Sequence, residues 1–270
     1  MLQQRLTVLI FLAWQLGNIF GTLGISNVPF LIKLFMKNFT FLLLLFCLFS
    51  MAQSKNITVQ YGLALYDSPY GVSSSEFFNN MFINAKIDSR KLRFDLVITP
   101  KGSKFSHHEI LASDSSIKSI GFTLGMAMYS GKVYIIDNKV YDGIEILGNN
   151  VYCLEETTQN WKITSETKQI GDYLCYKATN IYHVDNGLKV FNHPVTAWFC
   201  PKLPFPYGPN GYGNLPGLIL ELQVNNVVYG IKGIQFHDEL ALDLPDFSKC
   251  KVLDEKQLDE ALKKFNGFDD

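Results

Sequence analysis

Between Trp161 and Phe236 the chain alternates apolar and polar residues in runs joined by very short connections, and this constrains its fold more than any other feature. Trp161 to Thr167 and Asp172 to Tyr182 flank a turn at Ile170-Gly171. Asp185-Asn186-Gly187 offers residues that tolerate positive φ ahead of the run from Val195 to Phe199. Leu218 to Val224 and Val227 to Phe236 then face each other across Asn225-Asn226. Connections this short cannot carry a parallel crossover, so the pattern predicts a meander of antiparallel strands.

The preceding hundred residues fit the same sheet. Ile57 to Tyr66 alternates as a half-buried strand, Asp67 to Gly71 reads as a turn, and Leu92 to Thr99 sets Leu92, Phe94, Leu96 and Ile98 on one face. Ser74 to Ala85 predicts a short helix capped by Ser74 or Ser75, with a loop as the alternative. Ala127 to Ser130 and Val133 to Asp137 read as a hairpin through Gly131-Lys132, and Val151 to Glu155 as a further strand. Near the C-terminus, Asp254 and Gln257 form a capping-box start to a helix whose stripe is Leu258, Ala261, Leu262 and Phe265, closed by Gly267. The expected class is mainly β (α+β), a meander sheet that could curl into a half-barrel, with a short helix after the first strand and one at the C-terminus. No linker or repeat divides residues 53–270, which are expected to form one domain.

The first 52 residues have a different composition. Met36-Lys37-Asn38, the uncharged apolar run Phe39 to Phe49 and Ser50-Met51-Ala52 match the three regions of a secretory signal peptide, with Gln53 as the mature N-terminus. Residues 1–35, with the uncharged stretch Leu6 to Ile32, read either as an upstream extension ahead of a true start at Met36 or as a membrane anchor. The mature domain itself is not expected to span a membrane. The chain carries 24 basic and 25 acidic side chains, and removing Arg5, Lys33 and Lys37 with the leader makes the rest more acidic. With no basic cluster to meet phosphates, nucleic acid is excluded as a partner. Cys153, Cys175, Cys200 and Cys250 remain after processing; an even number in an exported chain fits either disulfides or buried thiols.

The segment from Trp161 to Phe236 also carries an ordered set of short motifs: Trp161-Lys162-Ile163, Glu166-Thr167-Lys168-Gln169-Ile170-Gly171, Tyr173-Leu174-Cys175-Tyr176-Lys177-Ala178-Thr179, Ala197-Trp198-Phe199, Gly208-Pro209, and Asn214-Leu215-Pro216-Gly217-Leu218-Ile219. This set resembles the GLPGLI family of exported Bacteroidetes proteins. The resemblance implies an exported envelope protein without an assigned activity, and it supplies no catalytic set. Asn214 stands in place of the family's first glycine, and Cys200 where that pattern usually has no cysteine. A Cys175 to Cys200 bridge between neighbouring strands is expected if the register brings them together.

Pro201, Pro204, Pro206 and Pro209 keep the following segment out of a sheet interior, so it must run as a loop that feeds the strand beginning at Leu218. Two readings of this loop stand. Leu215 and Pro216 could plug one end of the core, with Gly217 permitting a close approach; or Trp198, Phe205, Tyr207 and Tyr212 could line an apolar cleft for a ligand or partner.

Motifs for a serine nucleophile elbow, a zinc-protease helix, a phosphate loop or a dinucleotide fold are not found. His107, His108, His183, His193 and His237 are expected at the surface, with no metal or other cofactor; His183 and His193 could meet across a hairpin. The carboxylate pairs Glu155-Glu156 and Asp238-Glu239 read as solvated turns or strand ends. The expected function is a non-catalytic binding or assembly module, periplasmic or outer-membrane-associated, for an apolar or peptide-like ligand or another envelope protein. The alternative is an envelope hydrolase or thiol-dependent enzyme whose site is assembled from distant residues.

Overall fold

The computed structural model describes residues 56–67, 75–108, 120–156, 160–185 and 189–265. Twelve strands in these residues form one sheet: β1 (Asn56–Leu65), β2 (Arg93–Thr99), β3 (Gly102–His107), β4 (Val133–Ile136), β5 (Lys139–Gly143), β6 (Val151–Glu156), β7 (Lys162–Ile170), β8 (Tyr173–Asp185), β9 (Val190–Cys200), β10 (Leu218–Val224), β11 (Val227–His237) and β12 (Lys251–Leu253). Three α-helices accompany them: α1 (Glu76–Ser89), α2 (Ile120–Met126) and α3 (Glu255–Phe265). The described residues fall in one compact unit, Lys55–Asp270.

The strand order is β12-β6-β5-β4-β3-β2-β1-β11-β10-β9-β8-β7. Two meanders, β1 to β6 and β7 to β11, are joined where β1 pairs antiparallel with β11. The short strand β12 returns to lie parallel to β6, the one departure from antiparallel pairing. The mainly β class, the helix after the first strand and the C-terminal helix are as the alternation predicts.

Strand alternation turns one face of this sheet into the core. In β1, Ile57, Val59, Tyr61, Leu63 and Leu65 are buried in period two, as are Phe94, Leu96 and Ile98 of β2. At the centre, Phe94 stacks on Phe105 at 5.3 Å between ring centres and meets Tyr129 and Tyr229 edge-on at 5.3 and 5.2 Å. These are the offset and T-shaped arrangements that aromatic quadrupoles favour. The buried phenols keep their hydrogen bonds: Tyr229 Oη donates to the Ala127 carbonyl at 2.8 Å and Tyr61 Oη to that of Ile219. Beyond β4, a second aromatic group joins Tyr134, Tyr141 and Tyr152 to Phe247.

The sheet is strongly curled. Eight pairing steps separate β5 from β8 in the strand order, which in a flat sheet would place them about 38 Å apart at the usual strand spacing. Side chains of both strands nevertheless line a single cavity. The two end strands, β12 and β7, do not pair with each other, so the sheet stays open.

Several local expectations are corrected. Ala127 to Ser130 is not a strand but the turn after α2, and β4 pairs with β5 instead. The turn between them is Asp137-Asn138, with φ of 49° and 63°. Positive φ at both central residues is what a two-residue hairpin requires, and Asp and Asn tolerate it. Helix α1 runs four residues past Ala85, and its Phe77 and Phe78 are exposed. The capping box of α3 forms as expected: the Gln257 amide donates to Asp254 Oδ1 at 2.8 Å and the Asp254 amide to Gln257 Oε1 at 3.1 Å. The Asp67 to Gly71 turn past Asp67, the hairpin tip at residues 186–188, Gly267 and everything before residue 56 lie outside the described residues.

Candidate functional site

Strand β5 reads Lys-Val-Tyr-Asp-Gly, so Val140 and Asp142 share one face. In β6, Val151, Cys153 and Glu155 share one face, and the register sets Val140 opposite Glu155 and Asp142 opposite Cys153. Opposed residues of an antiparallel pair project to the same side, so Asp142 and Glu155 are diagonal neighbours. Both turn into the hollow of the curl, continuing rows that are otherwise apolar.

The hollow is a cavity of about 390 Å³, within the range of small-molecule sites. Asp142 lies deep in it, and its Oδ1 is shielded from solvent with no hydrogen-bond partner. Burial, and then the neighbouring Glu155 carboxylate, push its carboxyl up to about 7. Glu155 stands at the solvent-facing rim; the loss of hydration among its neighbours and the Glu255 carboxylate, in the first turn of α3, raise it in the same direction. Among the described residues neither carboxylate forms an ion pair.

The opposite wall comes from β8 to β11. Asn180 and Tyr182 of β8, Leu222 and Val224 of β10, and Tyr229 of β11 face the carboxylates across the cavity. Tyr182 has its phenol held above the ordinary value by burial and then by Glu155 and Asp142, so it remains a neutral hydroxyl at physiological pH. A third side is the turn after α2, tied to the Pro-rich loop by Asn210. This residue sits in the left-handed region, with φ of 52°, and its amide nitrogen donates to the Met128 carbonyl at 2.8 Å. Its Oδ1 is buried and, among the described residues, without a partner, as Asp142 Oδ1 is, and both residues line the cavity.

The seven loop residues singled out in the sequence separate into two groups. Tyr212 lines the cavity, its phenol also raised by burial and then by Tyr182 and Glu155. The other six do not. Phe205 and Tyr207 pack half-buried against the core, Leu215 is 2% exposed within it, and Pro216 is exposed. At Gly217 a Cβ would overlap the Cys200 carbonyl, so only glycine lets the loop close onto the end of β9. Trp198 lies under Lys168, whose Nζ is 5.5 Å from the ring and bonds Glu221 at 2.7 and 2.8 Å. The indole of Trp161 donates to the Gly213 carbonyl at 2.8 Å, holding the loop in place beside Tyr212.

Cys175 and Cys200 are brought together. The register that pairs Tyr176 with Phe199 sets them next in line across β8 and β9. Both are buried thiols, unbonded in the structure; burial and then the adjacent Cys200 push Cys175 up to about 12. Cys153 is likewise raised to about 11, chiefly by burial, which makes it a poor nucleophile at neutral pH. His183 faces Asn192 in the register and His193 faces Tyr182, so the two histidines project to opposite faces of the hairpin. Among the described residues no three His, Cys, Asp or Glu side chains converge as metal ligands.

Asp142 and Asn210 were not singled out in the sequence, and Glu155 was considered only as half of a solvated carboxylate pair. The available signal was an acid at a core-facing position of a strand, where a two-residue period demands an apolar side chain. The reading of Glu155 as a strand end is accurate, but that end opens into the cavity.

A family described as a protein of unknown function (Porph_ging) matches residues 161–192 and 185–221. The match covers β7 to β9, the Pro-rich loop and the first part of β10, and thus part of one wall of the cavity, but neither carboxylate. No curated protein matches the chain. Among solved structures, that of PNGF-II in space group P21 is similar, with a TM-score of 0.48, 16% identity and 78% of this chain covered; its C2 form gives 0.44, 16% and 77%. The chain spans about a third of the length of those structures, 34% and 33% respectively.

Proposed function

We propose that this chain is an exported, non-catalytic binding module of the cell envelope, periplasmic or outer-membrane-associated, and that the cavity inside its curled sheet takes a small ligand. The observation that carries this reading is that Asp142 and Asn210 both line one cavity and each carries a buried oxygen, Oδ1, with no donor among the described residues. Buried polar atoms without partners are rare in folded proteins, and where two share a cavity a ligand is the natural source of the missing donors. Export rests on the signal-peptide pattern from Met36 to Ala52. The GLPGLI-type motif set, overlapping the matched family region at residues 161–221, fits an envelope protein. An apolar or peptide-like ligand, or a segment of another envelope protein, would meet the aliphatic walls.

Native mass spectrometry of the protein purified from an envelope fraction tests the reading. A co-purifying ligand that is lost when Leu222 is enlarged to Trp supports it; a bare protein in gentle conditions contradicts it. Sequencing of the mature N-terminus should find Gln53, and an unprocessed chain would remove the export argument.

A second reading is favoured by one observation: a carboxyl held at about 7 beside a second carboxylate is the pairing of a general acid and base. Under it the chain is a hydrolase, and Asp142→Asn abolishes turnover of a substrate while leaving its binding intact.

A further inference from the structure

The cavity reading leaves open what occupies the site, and the chemistry of the walls narrows it. Asn210 Oδ1 only accepts hydrogen bonds, and so does Asp142 once it is ionised, so an occupant that meets both must donate. The orientation of the Asn210 amide is fixed, because its nitrogen is engaged by Met128. Charge is the second constraint. Asp142 and Glu155 stand together with Glu255 close by, and among the described residues no Lys, Arg or His pairs with Asp142 or Glu155. Water can satisfy a lone acceptor, but it brings no charge to a buried carboxylate that lacks a cation. The third constraint is the remaining wall, where Tyr182 and Tyr212 present rings, which attract cations, and Val133, Leu222 and Val224 present aliphatic surface.

Resting on the cavity reading, we propose that the site binds a protonated primary amine on a short apolar stem, its ammonium group shared among Asp142, Asn210 and Glu155 and its stem lying along Leu222 and Val224. An ammonium has three donors and no acceptor, which matches three acceptors in a pocket that no Lys, Arg or His among the described residues lines.

Isothermal titration of the full chain with n-hexylamine, n-hexanol and hexanoate tests the assignment, since the three share a stem and differ at the head. The amine is expected to bind at least about tenfold more tightly than the alcohol, the size of one charge-assisted hydrogen bond to a buried carboxylate. Asp142→Asn keeps the shape and should remove that preference, whereas Glu239→Gln, a carboxylate outside the cavity, should leave it unchanged. Melting curves recorded in parallel report folding. If Asp142→Asn does not fold, Glu155→Gln and the amine-to-alcohol ratio of the unmodified chain carry the test. Nα-acetyl-lysine amide, added as a fourth probe, separates a lysine side chain of a peptide from a free amine; tighter binding of either supports the ammonium site. Equal binding of alcohol or hexanoate overturns the ammonium assignment and leaves the cavity as a ligand site. Binding of none of the four overturns both.

Discussion

At the scale of single residues, Asp142 carries the most unusual physics. Its carboxyl is raised from 3.8 to about 7 by burial and by Glu155. Because the folded state binds its proton more tightly than the unfolded chain, the native state holds the extra proton between about pH 4 and pH 7. Stability therefore falls as pH rises through that window and stays lower above it. Asp142→Asn removes the titration: it is expected to raise unfolding free energy at pH 8 by about 1–3 kcal/mol relative to the parent, with little change at pH 4. Urea denaturation at the two pH values measures this. Gly217 works in the opposite sense. Since any Cβ there meets the Cys200 carbonyl, Gly217→Ala should lower stability by about 2 kcal/mol or more, seen as an earlier urea midpoint. Of these two residues the sequence made only the glycine visible, because a glycine flanked by proline and an apolar run signals a close approach. A lone Asp in a short strand carries no sign of its depth until the opposite wall is in place.

At the scale of elements, legibility followed the locality of the interaction. The capping box of α3 is made by residues three apart, so Asp254 and Gln257 announced it, and Asp254→Ala should cost about 1 kcal/mol, read as lost helical signal and an earlier melt. The hairpins β7–β8 and β10–β11 were equally visible, their turns lying between long alternating runs. The misread element was the hairpin partner of β4, where Gly131-Lys132 looked like a turn and Asp137-Asn138 was the actual one. Both dipeptides suit a turn, and the choice between them goes with α2, which ends at Met126 and leaves the Ala127 carbonyl to accept from Tyr229 and that of Ser130 from the Glu145 amide rather than pair with β4. Cys175 and Cys200 belong to this scale too, since the register of β8 and β9 alone sets them side by side. Mild oxidation of the folded chain is expected to consume Cys175 and Cys200 in one intramolecular bridge, detected as a cross-linked peptide pair, and to leave Cys153 and Cys250 reactive after unfolding; Cys175 and Cys200 still reactive would contradict it.

At the scale of the whole molecule, the site exists because a twelve-stranded sheet curls until β5 and β6 face β8 to β11. Alternation specifies which side chains face inward but not how far the sheet bends, so the sequence could place Tyr212 in a candidate site without revealing what stands opposite it. Asp142 and Glu155 lie 70 and 57 residues before Tyr212 in the chain, and only the curl unites them. Accordingly, the six other loop residues hold the loop and sheet together while the chemistry comes from strands that had read as ordinary. The central claim is that the curl buries an unpaired carboxyl in a cavity walled by both halves of the sheet. An NMR pH titration of the Asp142 carboxyl carbon in the unliganded chain measures it directly: a midpoint near 7 is the expected result, and a midpoint near 4, the value of a solvated aspartate, would contradict it.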